Sequence, residues 1–335
     1  MKKTILSVLF SVLLICLAKF SLMAQSQFKL TTVFHIASSG GWDYIASGPD
    51  NNRLYVSHGT QVNILNETTG DSIGVIPNTT GVHGIAFVPS LSKGYTSNGR
   101  LNTVTVFDLK SNQVLSQIPA GTNPDAIMYD DFSKMIITCN GRSNDLSLID
   151  PVSEKVVATI PVGGKPETAV SDKKGKIFVN IEDKNEIIAI DITLHTVLSR
   201  WPLAPSEGPT GLAIDLKNNR LFSGCDKTLV VMDAGSGKIV QRVTIGNGCD
   251  GVEFDPELGY AFASCGEGVL SIVNENSGVY KLLENVPTKA SARTIALNKK
   301  THTIYLPAGE FGKATTQGSR PPLVPGTFQI LVVKR

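Results

Sequence analysis

Residues 124–161, PDAIMYDDFSKMIITCNGRSNDLSLIDPVSEKVVATIP, contain four short runs of apolar and β-branched residues separated by polar turns. Blocks of this kind recur along the chain every 42 residues or so, and a fixed period of roughly this length is typical of repeat architectures. The block ends in Ile160-Pro161, and because proline cannot donate to a neighbouring strand, the fourth run is expected at a sheet edge. The block therefore predicts one four-stranded antiparallel blade of a β-propeller.

One polar residue opens each block, and we call these residues the anchors. Neighbouring anchors are 40 to 43 residues apart. They are Asp43, His83, Asp125, Glu167, Thr210, Asp250 and Arg293. The second strand of each block carries an aromatic residue or isoleucine, namely Tyr55, Tyr95, Ile136, Phe178, Phe222, Phe262 and Tyr305. The predicted second strands end at His58, Asn98, Cys139, Ile181, Cys225, Cys265 and Ala308.

The last block has only three strands of its own, around residues 294–297, 303–306 and 328–333. Its missing outer strand is expected at the other end of the chain, because residues 28–36 precede the first anchor and resemble the fourth strand of the other blocks. Pairing of these two ends would close a ring without an open sheet edge. The sequence thus predicts an all-β fold, a seven-bladed β-propeller of four-stranded antiparallel blades, as a single domain over residues 25–335.

Two stretches repeat one signature. They are Tyr95-Thr96-Ser97-Asn98-Gly99 with Asn102 to Asp108 behind it, and Ile137-Thr138-Cys139-Asn140-Gly141 with Asn144 to Asp150. In this signature the chain resembles the YncE-like, or YVTN-repeat, seven-bladed propellers of exported bacterial proteins, and the resemblance covers all blocks. It implies the fold, whereas function does not follow, because propellers support unrelated activities. Some members of the family are associated with single-stranded DNA.

Residues 1–24 have the features of a secretory signal peptide. Met1-Lys2-Lys3 precedes an apolar run from Ile5 to Ala18, and cleavage is expected after Ala24. Three of the 31 basic residues lie in this segment and all 29 acidic residues follow it, so the remainder has a net charge of −1. This charge argues against nucleic acid as a partner, since such binding normally needs clustered positive charge. We expect a periplasmic or secreted protein without a membrane span once the signal is removed.

The anchors begin the innermost strands, so their side chains are expected to ring the mouth of the central channel. The six titratable ones are candidate ligand-binding residues: Asp43, His83, Asp125, Glu167, Asp250 and Arg293. Carboxylates and imidazole suit a divalent metal ion, for which His83, Glu167 and Asp250 are the candidate ligands. Alternatively, Arg293 binds an anionic group of a polar ligand, or the charges only pair with one another.

Three of the cysteines lie close together in the predicted fold. Cys249 and Cys265 face each other across the first hairpin of the sixth blade, which would allow a cross-strand disulfide. Cys225 occupies the site matching Cys265 in the adjacent blade, so the three thiols with His58 or His83 could instead bind a soft metal such as copper. The third alternative is that these cysteines are small buried hydrophobic residues.

The last block contains an insertion rich in glycine and proline, residues 308–327. Long loops in compact domains are often functional or disordered. Because this loop leaves from the mouth face, it could fold over the channel as a lid, with Phe311, Lys313 and Arg320 as contacts. Trp42 and Tyr44 flank the first anchor, where they would stack on a ligand or pack in the core.

Two classes of function follow. The first is an exported binding or interaction protein whose polar channel mouth takes a small polar ligand, a polysaccharide or an envelope protein. The alternative is a divalent-metal-dependent lactonase or lyase, in which His83 or Glu167 is the general base and the metal ion polarises an oxygen. A c-type cytochrome is disfavoured because CxxCH is absent. Serine hydrolases and nucleotide enzymes are disfavoured because we expect neither a Gly-x-Ser-x-Gly nucleophile elbow nor a Gly-rich phosphate loop after a strand.

Overall fold

The computed structural model describes residues 28–49, 52–313 and 321–335. These residues form seven four-stranded sheets, and every strand pair within them is antiparallel. The predicted signal peptide, residues 1–24, lies outside the described residues. The helical elements in the described ranges are two short 3-10 turns, Pro89–Leu91 and Glu182–Lys184, and no helix there is long and apolar enough to cross a membrane.

Each blade runs from an innermost to an outermost strand. Blade 1 comprises β2 (Trp42–Ser47), β3 (Arg53–His58), β4 (Gln61–Asn66) and β5 (Ser72–Ile76). Blade 2 comprises β6 (Val82–Val88), β7 (Lys93–Asn98), β8 (Thr103–Asp108) and β9 (Val114–Pro119). Blade 3 comprises β10 (Pro124–Asp130), β11 (Met135–Asn140), β12 (Asp145–Asp150) and β13 (Lys155–Pro161). Blade 4 comprises β14 (Pro166–Ser171), β15 (Lys176–Ile181), β16 (Glu186–Asp191) and β17 (Thr196–Pro202).

The remaining blades complete the circle. Blade 5 comprises β18 (Leu212–Asp215), β19 (Arg220–Cys225), β20 (Thr228–Asp233) and β21 (Ile239–Thr244). Blade 6 comprises β22 (Cys249–Asp255), β23 (Tyr260–Cys265), β24 (Val269–Asn276) and β25 (Val279–Pro287). Blade 7 comprises β26 (Ala296–Asn298), β27 (Thr303–Ala308), β28 (Gln329–Lys334) and β1 (Lys29–His35). Innermost strands of neighbouring blades contact one another around the whole ring, including β26 with β2.

The ring closes as the block count predicts. β1 pairs with β28, so the N-terminal strand supplies the outer strand of blade 7. The register places Lys29 opposite Lys334 and Val33 opposite Leu331. The predicted seven-bladed β-propeller of four-stranded antiparallel blades is therefore confirmed.

The repeated signature has a structural reason in blades 2 and 3. Thr96 Oγ1 donates to Asn98 Oδ1 at 2.9 Å, and Asn98 Nδ2 donates to Thr105 Oγ1 at 2.8 Å. Thr138, Asn140 and Ser147 repeat the arrangement. The asparagine is fully buried in both blades, so these bonds satisfy polar groups that would otherwise be costly to bury.

The register predicted for the second strand of blade 3 is wrong by one residue. β11 ends at Asn140 rather than Cys139. Ile137, not Ile136, occupies the position that an aromatic residue takes in the second strand of the other blades, because Ile137 pairs with Leu148 as Tyr95 pairs with Val106. Two consecutive isoleucines hide this shift in the sequence. Because side chains alternate between the faces of a strand, Cys139 faces the opposite side of the sheet from the strand-end position predicted for it.

Buried polar contacts hold the joint between blades 7 and 1. The Glu67 carboxylate accepts hydrogen bonds from Ser47 Oγ at 2.6 Å and from Asn298 Nδ2 at 2.9 Å, and Tyr305 Oη donates to the Glu67 carbonyl at 3.0 Å. Glu67 is buried, and these donors compensate for the loss of water around its charge. The closing strand adds Phe34, which is buried between Trp42, Tyr305 and their neighbours.

We predict that Phe34→Ala destabilises the protein by about 3 kcal/mol, because the substitution leaves a cavity at the joint. Leu30→Ala in the same strand is the matched control. Leu30 is exposed, and its substitution should change stability by no more than about 0.5 kcal/mol. Chemical denaturation followed by tryptophan fluorescence measures both. Equal effects of the two substitutions would contradict the pairing of β1 into blade 7.

Candidate functional site

A repeated backbone irregularity positions the anchors. In five blades the register of the innermost strand shifts at the anchor, with one extra residue between Trp42 and Ile45 in blade 1, for example. The other four shifts lie between Val82 and Ile85, Pro124 and Ile127, Pro166 and Ala169, and Cys249 and Gly251. Such β-bulges re-aim side chains. Thr210 and Arg293 instead lie in the loops before β18 and β26.

One side of the mouth holds a continuous charge network. His83 Nδ1 lies 2.6 Å from Asp43 Oδ2 and 3.7 Å from Asp125 Oδ1. The second oxygen of Asp43, Oδ1, accepts a hydrogen bond from Arg293 Nη2 at 3.3 Å, and Arg293 Nη1 pairs with Asp250. These five anchors come from blades 1, 2, 3, 6 and 7, so the ring brings them together.

The other side of the mouth holds Glu167, which is bound by a residue outside the anchor set. Lys165 Nζ lies 2.7 Å from Glu167 Oε1 and also pairs with Glu182. Thr210 Oγ1 donates to the carbonyl of Cys249 at 2.8 Å. The uncharged anchor therefore contributes to the packing of the mouth rather than to its charge.

The structure does not bring together the three metal ligands expected from the sequence. Of that set, Glu167 is paired with Lys165 and Asp250 with Arg293, and only His83 remains with other potential ligands. Among the described residues, the group whose ligand atoms all lie within 4.8 Å of one another is Asp43, His83 and Asp125. Lys165 and Arg293 account for the difference between the expected and the observed group, because Lys165 pairs with Glu167 and Arg293 pairs with Asp250.

Burial, with a smaller contribution from neighbouring carboxylates, raises the pKa values of two mouth carboxyls. Burial raises the pKa of Asp125 to about 6, although the charge of His83 opposes the shift. Burial together with Asp125 raises the pKa of Glu167 to about 8, against the hydrogen bond from Lys165. Burial alone would lower the pKa of His83, but its hydrogen bond to Asp43 and the charge of Asp125 raise it. Burial is the main cause of both carboxyl shifts, and the raised pKa of His83 reflects the negative charges of Asp43 and Asp125 beside it.

A cavity of about 410 Å³ begins directly below the anchors. Its lining follows the innermost strands and includes Tyr44, Thr168, Met128 and, further along the channel, Glu253. Burial and the charges of Asp125 and Glu167 raise the pKa of Tyr44 far above its usual range, so its hydroxyl stays protonated and can donate. The Glu253 Oε2 atom lies 3.9 Å from Lys299 Nζ. The channel is therefore mainly apolar, with a polar entrance.

The described part of the insertion packs beside the mouth. Phe311 forms an isolated bridge with Leu323 and stacks on Trp42, with ring centroids 5.5 Å apart. Trp42 also stacks on Phe328, which stacks on His58. Trp42 is thus a packing residue, whereas Tyr44 faces the channel. Arg320 lies outside the described residues, so the predicted lid over the channel stays a prediction.

The four described cysteines are buried free thiols. Cys249 and Cys265 are direct cross-strand partners, and a hydrogen bond between them lowers the pKa of Cys265 and raises that of Cys249. The described residues do not support the copper site: His83 bonds to Asp43, and His58 bonds to Ser38 and to the Gly40 carbonyl. In the described ranges, these thiols do not lie together with two further metal-ligand side chains in a group as compact as Asp43, His83 and Asp125.

Two short strings match catalytic motifs by their letters only. Residues 70–74 have Gly-x-Ser-x-Gly spacing, but Ser72 is exposed at the start of the outermost strand β5 and no helix follows. Residues 246–251 have Gly-x-Gly-x-x-Gly spacing, but they lead into strand β22 instead of a helix. Neither string has the strand-turn-helix context that its chemistry requires.

Sequence reasoning missed Lys165 and Glu182; at the mouth, Lys165 pairs with both Glu167 and Glu182. Both positions carried a signal. Lys165 precedes the anchor Glu167 by two residues, and Glu182 directly follows Ile181, the end of β15. The loops at both positions emerge on the mouth face, so charged residues in them belong to the candidate site as much as the anchors do.

The fold and mouth define a seven-bladed β-propeller with an acid-rich channel entrance. No protein-family model and no curated protein matches the chain. Among solved structures it is similar to Kuenenia stuttgartiensis hydrazine synthase, with 16% sequence identity and a TM-score of 0.71 over 81% of this chain and 94% of that chain. At this identity, the likeness shows the propeller fold alone.

We predict that mild oxidation with diamide links Cys249 to Cys265. Opposed residues of antiparallel strands have Cα atoms about 4.5–5.5 Å apart, within the range of about 4.4–6.8 Å for disulfides. Each thiol loses a proton and an electron, and diamide is reduced. Peptide mapping by mass spectrometry without reductant should find this link with Cys139 still free. A Cys265→Ser control should show no link, and reduced Cys249 and Cys265 in the oxidised wild type would contradict the prediction.

Proposed function

We propose that this chain is a binding protein whose channel mouth takes a small polar ligand that carries positive charge. The observation that carries the proposal is the unbalanced charge at the entrance of the cavity. The carboxylates there are Asp43, Asp125, Glu167, Glu182 and Asp250, and the cations facing them are Lys165, Arg293 and, when protonated, His83. Burial, with a smaller contribution from neighbouring carboxylates, raises the pKa values of Asp125 and Glu167, and a cationic group would compensate for both effects.

A small ligand is favoured over a polysaccharide or an envelope protein. The charged side chains converge on the mouth of one cavity instead of spreading over the face of the ring, and concave sites with few polar groups suit small molecules. Tyr44 supports this choice, because its protonated hydroxyl lies in the lining just below the anchors and can donate to a ligand oxygen. The ligand would therefore combine a cationic group with an acceptor.

We also propose that the protein is an exported propeller of the YncE-like kind. Two features support this. Residues 1–24 have the sequence features of a signal peptide. The signature stretches of blades 2 and 3 occupy equivalent strands and form equivalent buried networks around Asn98 and Asn140.

The charge preference of the mouth provides the test. We predict that 1,4-diaminobutane raises the melting temperature saturably, by at least about 3 °C, whereas acetate and sulfate at equal ionic strength do not. Asp125→Asn should reduce this shift at least by half, because it removes a mouth carboxylate. Asp131→Asn is the matched control, because Asp131 is exposed in a turn of blade 3, and this substitution should leave the shift in melting temperature unchanged. Equal stabilisation by anions, or none by the diamine, would contradict the proposal.

One observation favours a second candidate, the metal-dependent lactonase or lyase. Asp43, His83 and Asp125 form a compact set of metal-ligand types at the mouth. With His83 in that set, the remaining candidate general base is Glu167, whose raised pKa suits proton transfer near neutral pH. Hydrolysis of γ-butyrolactone in the presence of Mn²⁺ or Zn²⁺ tests this candidate. Turnover by the wild-type protein that is lost in Glu167→Gln would favour the enzyme. Absence of turnover by the wild-type protein would favour the binding protein.

A further inference from the structure

We propose that Asp43, His83 and Asp125 bind one divalent cation of the Zn²⁺, Co²⁺ or Mn²⁺ class. The proposal rests on the proposed function, since it places an ion at the centre of the same mouth. It names a ligand set that differs from the one the sequence suggests. Each of the three residues comes from a different blade, so an ion here would bridge blades 1, 2 and 3.

The distances from His83 to the two carboxylates are close to those of a coordination sphere, and the ligand atoms of all three residues lie within 4.8 Å of one another. With metal–ligand bonds of about 2.1 Å, neighbouring ligand atoms lie roughly 3.0–3.4 Å apart. His83 Nδ1 is 2.6 Å from Asp43 Oδ2, which is a hydrogen-bond distance, and 3.7 Å from Asp125 Oδ1. Shifts of less than about 1 Å would convert one arrangement into the other. The ion would take the place of the proton between His83 and Asp43.

The surroundings hold two of the ligands in place. Arg293 binds Oδ1 of Asp43 and leaves Oδ2 turned towards His83, as second-sphere partners of metal-binding carboxylates do. The imidazole of His83 fits against Gly99, where even a Cβ atom would lie 2.6 Å from Nε2. The glycine therefore leaves space for the ring, and Nδ1 faces the two carboxylates.

Asp125 is the member of the set that most lacks a partner. Its side chain is 14% exposed, and its closest cationic atom is His83 Nδ1 at 3.7 Å. Among the described residues, the hydrogen bond that Asp125 accepts from a side chain, that of Ser97 Oγ, goes to its backbone carbonyl and not to its carboxylate. A largely buried carboxylate without a donor is costly, and a cation would compensate for this cost directly.

The ligand types indicate the class of ion. One imidazole and two carboxylates suit Zn²⁺, Co²⁺ and Mn²⁺ better than Cu⁺, which prefers thiolates. Three protein ligands leave coordination positions open. Glu167 and Asp250 lie outside the set: Lys165 pairs with Glu167, and Arg293 Nη1 pairs with Asp250. Arg293 also binds Asp43, but through Oδ1, so Oδ2 stays beside His83.

Titration of the EDTA-treated, dialysed protein with Co²⁺ tests the proposal through calorimetry and the visible spectrum of the bound ion. We expect one Co²⁺ per chain with micromolar affinity and an absorption change that saturates at this stoichiometry. Asp125→Asn and His83→Gln should each weaken binding at least about tenfold. Melting curves without metal confirm that each variant is folded, and Asp125→Asn keeps the test decisive if His83→Gln does not fold.

Glu182→Gln is the matched control. It removes one negative charge at the mouth but lies outside the ligand set, so Co²⁺ affinity should change by less than about threefold. An equal loss in Glu182→Gln and Asp125→Asn would show diffuse attraction and overturn the proposal, as would the absence of stoichiometric binding. If the diamine still stabilises a protein that binds no Co²⁺, the proposed function stands and only the metal site fails. If neither binds, both fail.

Discussion

The pairing of β1 with β28 is the constraint on which the other features of the molecule depend. The two strands come from opposite ends of the described chain, and their hydrogen bonds complete the last blade. Closure removes the free sheet edges at which an open array would end. It also fixes the distance between blades 7 and 1, which sets the contact of Arg293 with Asp43 and the buried contacts of Glu67.

The mouth depends on closure through its charges. Side chains far apart in the sequence meet because each innermost strand begins at the same face, and bulges at five of these strands aim the anchor side chains. Partial burial then makes each charge sensitive to its neighbours, since interactions are stronger where water is excluded. Lys165 pairs with Glu167, and Arg293 pairs with Asp250 and with Oδ1 of Asp43. Oδ2 of Asp43 and the Asp125 carboxylate remain beside His83, and this division gives the mouth its chemical asymmetry.

The period of the sequence was sufficient to predict the fold. The anchors, the proline-terminated outer strands and the missing strand of the last block together predict seven blades and their closure, and the structure confirms them. Proline ends β9, β13, β17 and β25, all of which are outermost. A single-residue error arose where Ile136 and Ile137 follow each other, because hydrophobicity alone does not distinguish adjacent isoleucines.

The sequence could place residues at the mouth but could not tell which of them pair. Partner choice depends on side-chain reach: Lys165 extends from its loop to Glu167, and Arg293 reaches both Asp43 and Asp250. The contacts of Arg293 join blade 7 to blades 1 and 6, so no local pattern records them. The pairing of Cys249 with Cys265, in contrast, was predictable from the sequence, because both residues lie in one hairpin whose turn sets the register.

Circular closure is tested most directly by a covalent link between Lys29→Cys and Lys334→Cys, two exposed and directly paired positions. We expect the disulfide to form in the native protein and to raise the free energy of unfolding by up to about 5 kcal/mol, since it closes a loop of nearly the whole chain. Failure of these cysteines to cross-link in the folded protein, with β1 cleaved by protease under native conditions, would contradict circular closure.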